Sequence, residues 1–171
     1  MNTAPDALIR LDGVTKTFGS TTALNNASLQ VNGGARIICP TCTDGAGVTI
    51  VLTGAPNQVG TIDINGGATA SLRAPSDPQD PDFRGVLFYR DARATGGGTQ
   101  VTINGGADLD LQGGLYFPSS AVKYAGGGNA EGCTVLVAAT IELTGNATAG
   151  VNGCSASATA VAHTRIARLI E

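Results

Sequence analysis

The chain has 171 residues, only 13% of them charged, with a formal net charge of −3 and a pI near 5.0. That excludes a nucleic-acid surface, which needs clustered Lys and Arg; where Arg84, Arg90 and Arg93 fall close together, Asp80, Asp82 and Asp91 neutralise them. No apolar run of about 18 residues is present, which excludes a helical bilayer span, and the first ten residues lack the basic and apolar regions of a signal peptide.

Gly supplies 25 residues, about twice the usual ~7%. Apolar content is ordinary at 42%, but it is built from Val, Ile, Leu and Ala with few aromatics. Many short strands joined by tight turns have this composition. We read residues 1–6 as a disordered start and residues 7–171 as one domain.

In chain order, residues 7–31 are β-like, with polar breaks at Gly13, at Gly19 with Ser20, and at Asn25 with Asn26. A short strand over 36–39 leads into Cys39-Pro-Thr-Cys42. Residues 48–53 (VTIVLT) are the strongest buried strand. Strands come next at 61–64 and 69–72, then a proline-rich insertion at 74–84, whose three prolines exclude a central strand. Further strands fall at 85–90, 99–104, 107–111, 115–118, 122–125 and 134–143. Residues 161–170 end the chain as an apolar-alternating run or a short helix, since Ala162, Arg165, Ile166, Leu169 and Ile170 recur at helical spacing.

One unit repeats along this series. Asn-Gly-Gly-Ala stands at Asn32, Asn65 and Asn104, with a weaker copy at Thr144, and each comes after an apolar-polar-apolar triplet. Asn-Gly favours turns with φ > 0. The copies lie 33 and 39 residues apart, and two short coils per interval fit those lengths. Repetition of a strand-corner-strand unit predicts an all-β fold, a right-handed parallel β-helix or solenoid-like stack. A set of two-residue antiparallel hairpins is the alternative; short, uncharged strands favour the parallel one.

The four cysteines form an even set in a charge-poor β chain, which points to an oxidising compartment; four free thiols are the alternative. Cys133 and Cys154 are 21 residues apart, about one coil. Adjacent coils ~4.8 Å apart would bring them within disulfide reach, so a disulfide is predicted there, closing a loop that stabilises by about 3 kcal/mol. Cys39 and Cys42 read as a local disulfide or as free thiols. A redox pair needs a helix N-terminus or cationic neighbour, and zinc needs a second close pair of ligands; neither is present in the sequence.

From Val48 onward the chain resembles the C-terminal region of the TadE/TadG-like proteins of Flp (tight-adherence) pilus systems. The resemblance rests on residues 47–54 (GVTIVLTG), 62–68 (IDINGGA), 72–75 (LRAP), 85–91 (GVLFYRD) and 104–107 (NGGA). It continues through 111–119 (LQGGLYFPS), 124–126 (YAG), Cys133, 141–146 (IELTGN) and Cys154. It implies a domain outside the cytoplasm on a membrane-anchored appendage protein, and it implies no catalytic residues. Residues 8–24 (LIRLDGVTKTFGSTTAL) resemble the first strands of an ABC-transporter ATPase. In that family a phosphate-binding Gly-Lys-Ser/Thr loop comes next; the sequence holds none, so nucleotide hydrolysis is rejected, and the segment reads as the first coils of the stack.

Asp77, Asp80, Asp82 and Asp91 are the densest carboxylates, and six of the seven aromatics lie between Phe83 and Tyr124. Carbohydrate-active β-helix proteins use such groups on one face. With Tyr89 and Tyr116 these aspartates form the candidate ligand or partner surface, although a solvated Pro-Asp loop and rung-stacking core aromatics explain the same residues. Phe88 and Phe117 belong with that aromatic set. His163 lacks a Gly-x-Ser-x-Gly partner and reads as a surface or capping residue. The sequence therefore predicts a non-enzymatic, extracytoplasmic structural or adhesive protein. It needs no cofactor and no metal, and it associates with itself or with other appendage proteins. A carbohydrate-binding or polysaccharide-degrading protein is the alternative.

Overall fold

The apolar-polar-apolar triplets before the three Asn-Gly-Gly-Ala corners stack directly on one another, and residues 122–124 separate the third from the fourth triplet at 141–143. The computed structural model describes residues 9–13, 17–18, 21–22, 27–43, 45–76, 83–95, 99–104, 109–125, 132–147, 149–154 and 159. The early strands are β1 (Ile9–Gly13), β2 (Thr17–Phe18), β3 (Thr21–Thr22), β4 (Ala27–Val31), β5 (Arg36–Ile38) and β6 (Ile50–Leu52). After them come β7 (Ile62–Ile64), β8 (Thr69–Arg73), β9 (Val86–Arg90), β10 (Gln100–Asn104), β11 (Leu109–Ala125) and β12 (Thr134–Thr144). The described residues are all-β, with strands in a solenoid-like parallel arrangement.

Three parallel ladders run through the stack. The first joins β4, β7, β10, the end of β11 and the end of β12, so that Val31, Ile64, Ile103, Tyr124 and Leu143 share one row. The second joins β5, β8 and the start of β11. The third joins β6, β9, the middle of β11 and the start of β12, aligning Ile50, Phe88, Leu115 and Leu136. Each of the two intervals between the Asn-Gly-Gly-Ala corners is therefore one coil, not two, and the insertions within a coil absorb the extra length; the interval to the weaker copy at Thr144 takes two steps of the first ladder.

Alternation decides which residues face in. Leu29, Ile62, Val101 and Val122 are buried, as are Val31, Ile64, Ile103 and Tyr124 in the neighbouring row. Between these two rows Gln30, Asp63, Thr102, Lys123 and Glu142 line the outer face. The core continues through Leu87, Phe88, Leu115 and Phe117, each fully buried, and Phe88 and Phe117 pack ring to ring at 6.3 Å.

The corner repeats work by backbone geometry. Gly33, Gly34, Gly66 and Gly67 all have positive φ, which L side chains resist. A Cβ on Gly66 would also sit 3.0 Å from the Gly33 nitrogen of the coil before it. The Asn65 amide donates to the Val31 carbonyl at 2.9 Å, Gly66 donates to Asn65 Oδ1 at 2.7 Å, and Ala68 donates to the Asn65 carbonyl at 3.2 Å. Ala35 and Ala68 then plug into the core. A turn that could close a hairpin instead steers the chain from the first ladder into the second.

Three sequence expectations are corrected here. The sequence predicts three strands within 107–125, but β11 is one 17-residue strand that crosses all three ladders. It bends at Gly113, where a Cβ would lie 2.5 Å from the Ala74 Cβ, and again where the register shifts between Phe117 and Ala121. The described strands within residues 8–24 are not the first coils of the stack: β1 pairs antiparallel to β4 and β2 pairs antiparallel to β3, and the parallel stack starts at β4. The Cys133–Cys154 disulfide does form, but across an antiparallel bridge between Cys133 and Val151, not between stacked coils. The expected C-terminal helix or strand at 161–170 lies outside the described residues, as does His163.

Candidate functional site

The outer faces of the ladders differ in chemistry. The first presents Gln30, Asp63, Thr102, Lys123 and Glu142, with Lys123 and Glu142 3.6 Å apart. Desolvation raises the Asp63 pKa, and its Oδ1 has no hydrogen-bond partner. The second ladder presents Ser71, Arg73, Asp110 and Gln112. The third presents Val51, Tyr89, Tyr116 and Val137 in one row and Val86, Gly114 and Val135 in the next, an apolar surface turned outward.

A groove of about 290 Å³ runs over this third face, bordered by Phe83, Arg84, Tyr89, Tyr116, Val137 and Thr159. Gly85 and Gly114 keep its floor low: a Cβ on Gly114 would lie 3.3 Å from the Gly85 carbonyl and 3.8 Å from the Thr159 Cγ2. The Tyr89 and Tyr116 rings stack at 5.4 Å and 10°, as rungs ~4.8 Å apart require. Phe83 closes on Tyr89 edge-on at 6.0 Å. The two tyrosines thus spend a ring face on each other, and Phe88 and Phe117 lie wholly inside. A sugar-stacking platform needs ring faces turned to solvent, which this arrangement does not favour.

Of the candidate carboxylates, Asp91 is buried at the end of β9 and Asp77, Asp80 and Asp82 lie outside the described residues. Asp91 is occupied by its own turn. It accepts hydrogen bonds from Arg93 Nε at 3.0 Å, Arg93 Nη2 at 2.6 Å, the Arg93 amide at 2.9 Å and the Thr53 hydroxyl at 3.1 Å. Hydrogen bonds from the Arg93 guanidinium and amide hold its carboxyl well below the usual carboxylate range, against the opposing effect of burial. Such a group is a fixed anion and not a proton carrier.

Both predicted disulfides are present, Cys39–Cys42 and Cys133–Cys154, which suits an oxidising, extracytoplasmic environment. No helix among the described residues is long and apolar enough to cross a membrane, and no cluster of three metal-ligating side chains occurs among them.

Sequence reasoning missed Arg90. Its position on an alternating strand aims it inward, beside the ladder of Leu52. It is fully buried and donates to the carbonyls of Gly60 at 2.8 Å and Val59 at 3.0 Å and to Ser120 Oγ at 3.0 Å. Burial lowers its pKa. The guanidinium ties the loop before β7 to the bend of β11. The only available signal was parity along 86–90, since charge alone suggests a surface residue.

The far end of the stack was also not resolved by sequence. Ile141 and Leu143 stand in the two inward rows of the first ladder, yet are 48% and 51% exposed, because β12 is the last described rung. Comparison of the chain with protein-family models, with curated proteins and with solved structures finds no match.

Proposed function

We propose that the chain is a non-enzymatic structural or adhesive module, a right-handed parallel β-helix that works outside the cytoplasm and assembles through the open end of its stack. The observation that carries this reading is the exposure of Ile141 and Leu143 in core register. Unpaired strand edges and uncovered apolar rows are the parts of a solenoid that recruit a further strand. The disulfides and the resemblance of residues 48–154 to TadE/TadG-like proteins support a place in a Flp-type pilus or related appendage, where copies of itself or other appendage proteins are the partners.

The test is sizing with light scattering and negative-stain imaging of non-reduced protein, alongside the Ile141→Lys/Leu143→Lys variant. Concentration-dependent oligomers in the natural chain, absent in the variant, are expected. A monomer at every concentration, or oligomers unaffected by the variant, would overturn the reading. The carbohydrate alternative is separated by binding and turnover across a glycan panel.

A further inference from the structure

Building on the assembly reading above, we propose that the open end is occupied by a second copy of this chain, docked head to tail. Residues 140–143 of β12 pair antiparallel with residues 9–12 of β1 in the next copy, and the first ladder runs on from chain to chain.

The two ends of the first ladder carry the same rows. At one end Ile9, Arg10 and Leu11 stand opposite Val31, Gln30 and Leu29. At the other end Ile141, Glu142 and Leu143 stand opposite Val122, Lys123 and Tyr124. Followed through β7 and β10, the register puts Leu11 and Ile141 in one row, Arg10 and Glu142 in the next, and Ile9 and Leu143 in the third. A copy moved straight along the stack therefore sets Leu11 against Ile141, Arg10 against Glu142 and Ile9 against Leu143. Continuing the same register, Asp12 meets Thr140.

Strand direction fits as well. The end of β12 runs parallel to β4 through the ladder, and β1 runs antiparallel to β4. Stacked copies in one orientation thus bring β12 and the next β1 together as an antiparallel pair, the arrangement β1 already makes with β4. Among the described residues β1 pairs only with β4, and residues 140–144 pair only with β11. Each strand keeps one edge of amide and carbonyl groups for a partner.

The chemistry across the joint is complementary. Ile141 and Leu143, 48% and 51% exposed, gain apolar partners. Glu142 lies 3.6 Å from Lys123 of its own chain and receives a second cation, Arg10, on its other side. Apolar and opposite-charge pairs of this kind stabilise antiparallel strands. The two surfaces differ, so the contact is heterologous and repeats without closing.

The experiment is light scattering of non-reduced full chain over a range of concentrations. It compares the natural protein, Arg10→Glu, Glu142→Arg, an equimolar mixture of these two, and the chain carrying both changes. Natural protein should grow past a dimer. Each single variant puts like charges across every joint and should need about tenfold more protein to assemble, the factor given by about 1.4 kcal/mol. The mixture, in an alternating filament, and the double variant both restore opposite charges and should assemble like the natural protein, which also shows that the single variants fold. A monomer at every concentration would overturn this inference together with the assembly reading. Growth unaffected by Arg10→Glu, a species that stops at twice the 17.0 kDa of one chain, or weakening that neither pairing restores would overturn the head-to-tail joint and leave the open end as the assembly surface.

Discussion

Ile62 and Ile141 are the same residue in the same row of the same ladder, yet one is fully buried and the other 48% exposed. Ile62 has coils on both sides; Ile141 stands on the last described rung. At the opposite end Leu29 occupies that row too and stays buried, on the strand that β1 covers by antiparallel pairing. Position in the stack, and not residue type or local pattern, sets what each side chain contributes, as expected where every repeat touches only its neighbours.

The sharpest way to break that comparison is to truncate both isoleucines. Ile62→Ala should destabilise by about 3–4 kcal/mol, through lost transfer energy and an unfilled cavity. Ile141→Ala should cost less than about 1 kcal/mol, as a half-exposed side chain does. Denaturant unfolding of non-reduced protein measures both. Equal losses would mean that the open end is covered in solution.

The disulfides extend the comparison to the covalent frame. Replacing Cys133 and Cys154 by Ser opens a 21-residue separation and should cost about 3 kcal/mol, whereas the three-residue Cys39–Cys42 separation should cost roughly half as much. Hydrogen exchange should show the first loss concentrated in β12 and little changed in β7. Uniform loosening would contradict a stack whose end frays independently of its middle.

The smallest effect expected is in acid. The Asp91 carboxyl is held below its unfolded value of about 3.9, so its contribution is fully present above that pH and is lost as pH falls towards the folded pKa. Thermal melts should therefore show natural protein losing stability below about pH 4, with a shallower loss in Asp91→Asn. Identical pH profiles would show that the turn after β9 does not depend on this anion.

Much of the architecture was legible because it is local and repeated. Strands β5, β7, β8, β9 and β10 fall where alternation placed them, and the corners at 32–35 and 65–68 arise from two successive positive-φ positions. The antiparallel β1 was hidden because alternation looks the same for either strand direction. The continuity of β11 was hidden because Gly113 and Pro118 read as breaks, whereas a solenoid uses such positions to bend a strand between ladders. Of the candidate site, Tyr89 and Tyr116 were identified, but not that they stack on each other and lead to Thr159. That relation joins residues of three separate segments.

The sequence by itself pointed to an all-β fold with repeated corners, an even set of cysteines and inward apolar rows, because φ preference and side-chain alternation act over a few residues. Only the tertiary structure decided that one coil fills each interval between the Asn-Gly-Gly-Ala corners, that Arg90 lies inside, that the third outer face is apolar and that Ile141 is half-exposed. Those properties depend on which coil lies above and below a residue, and nothing within a residue's own few neighbours along the chain specifies that.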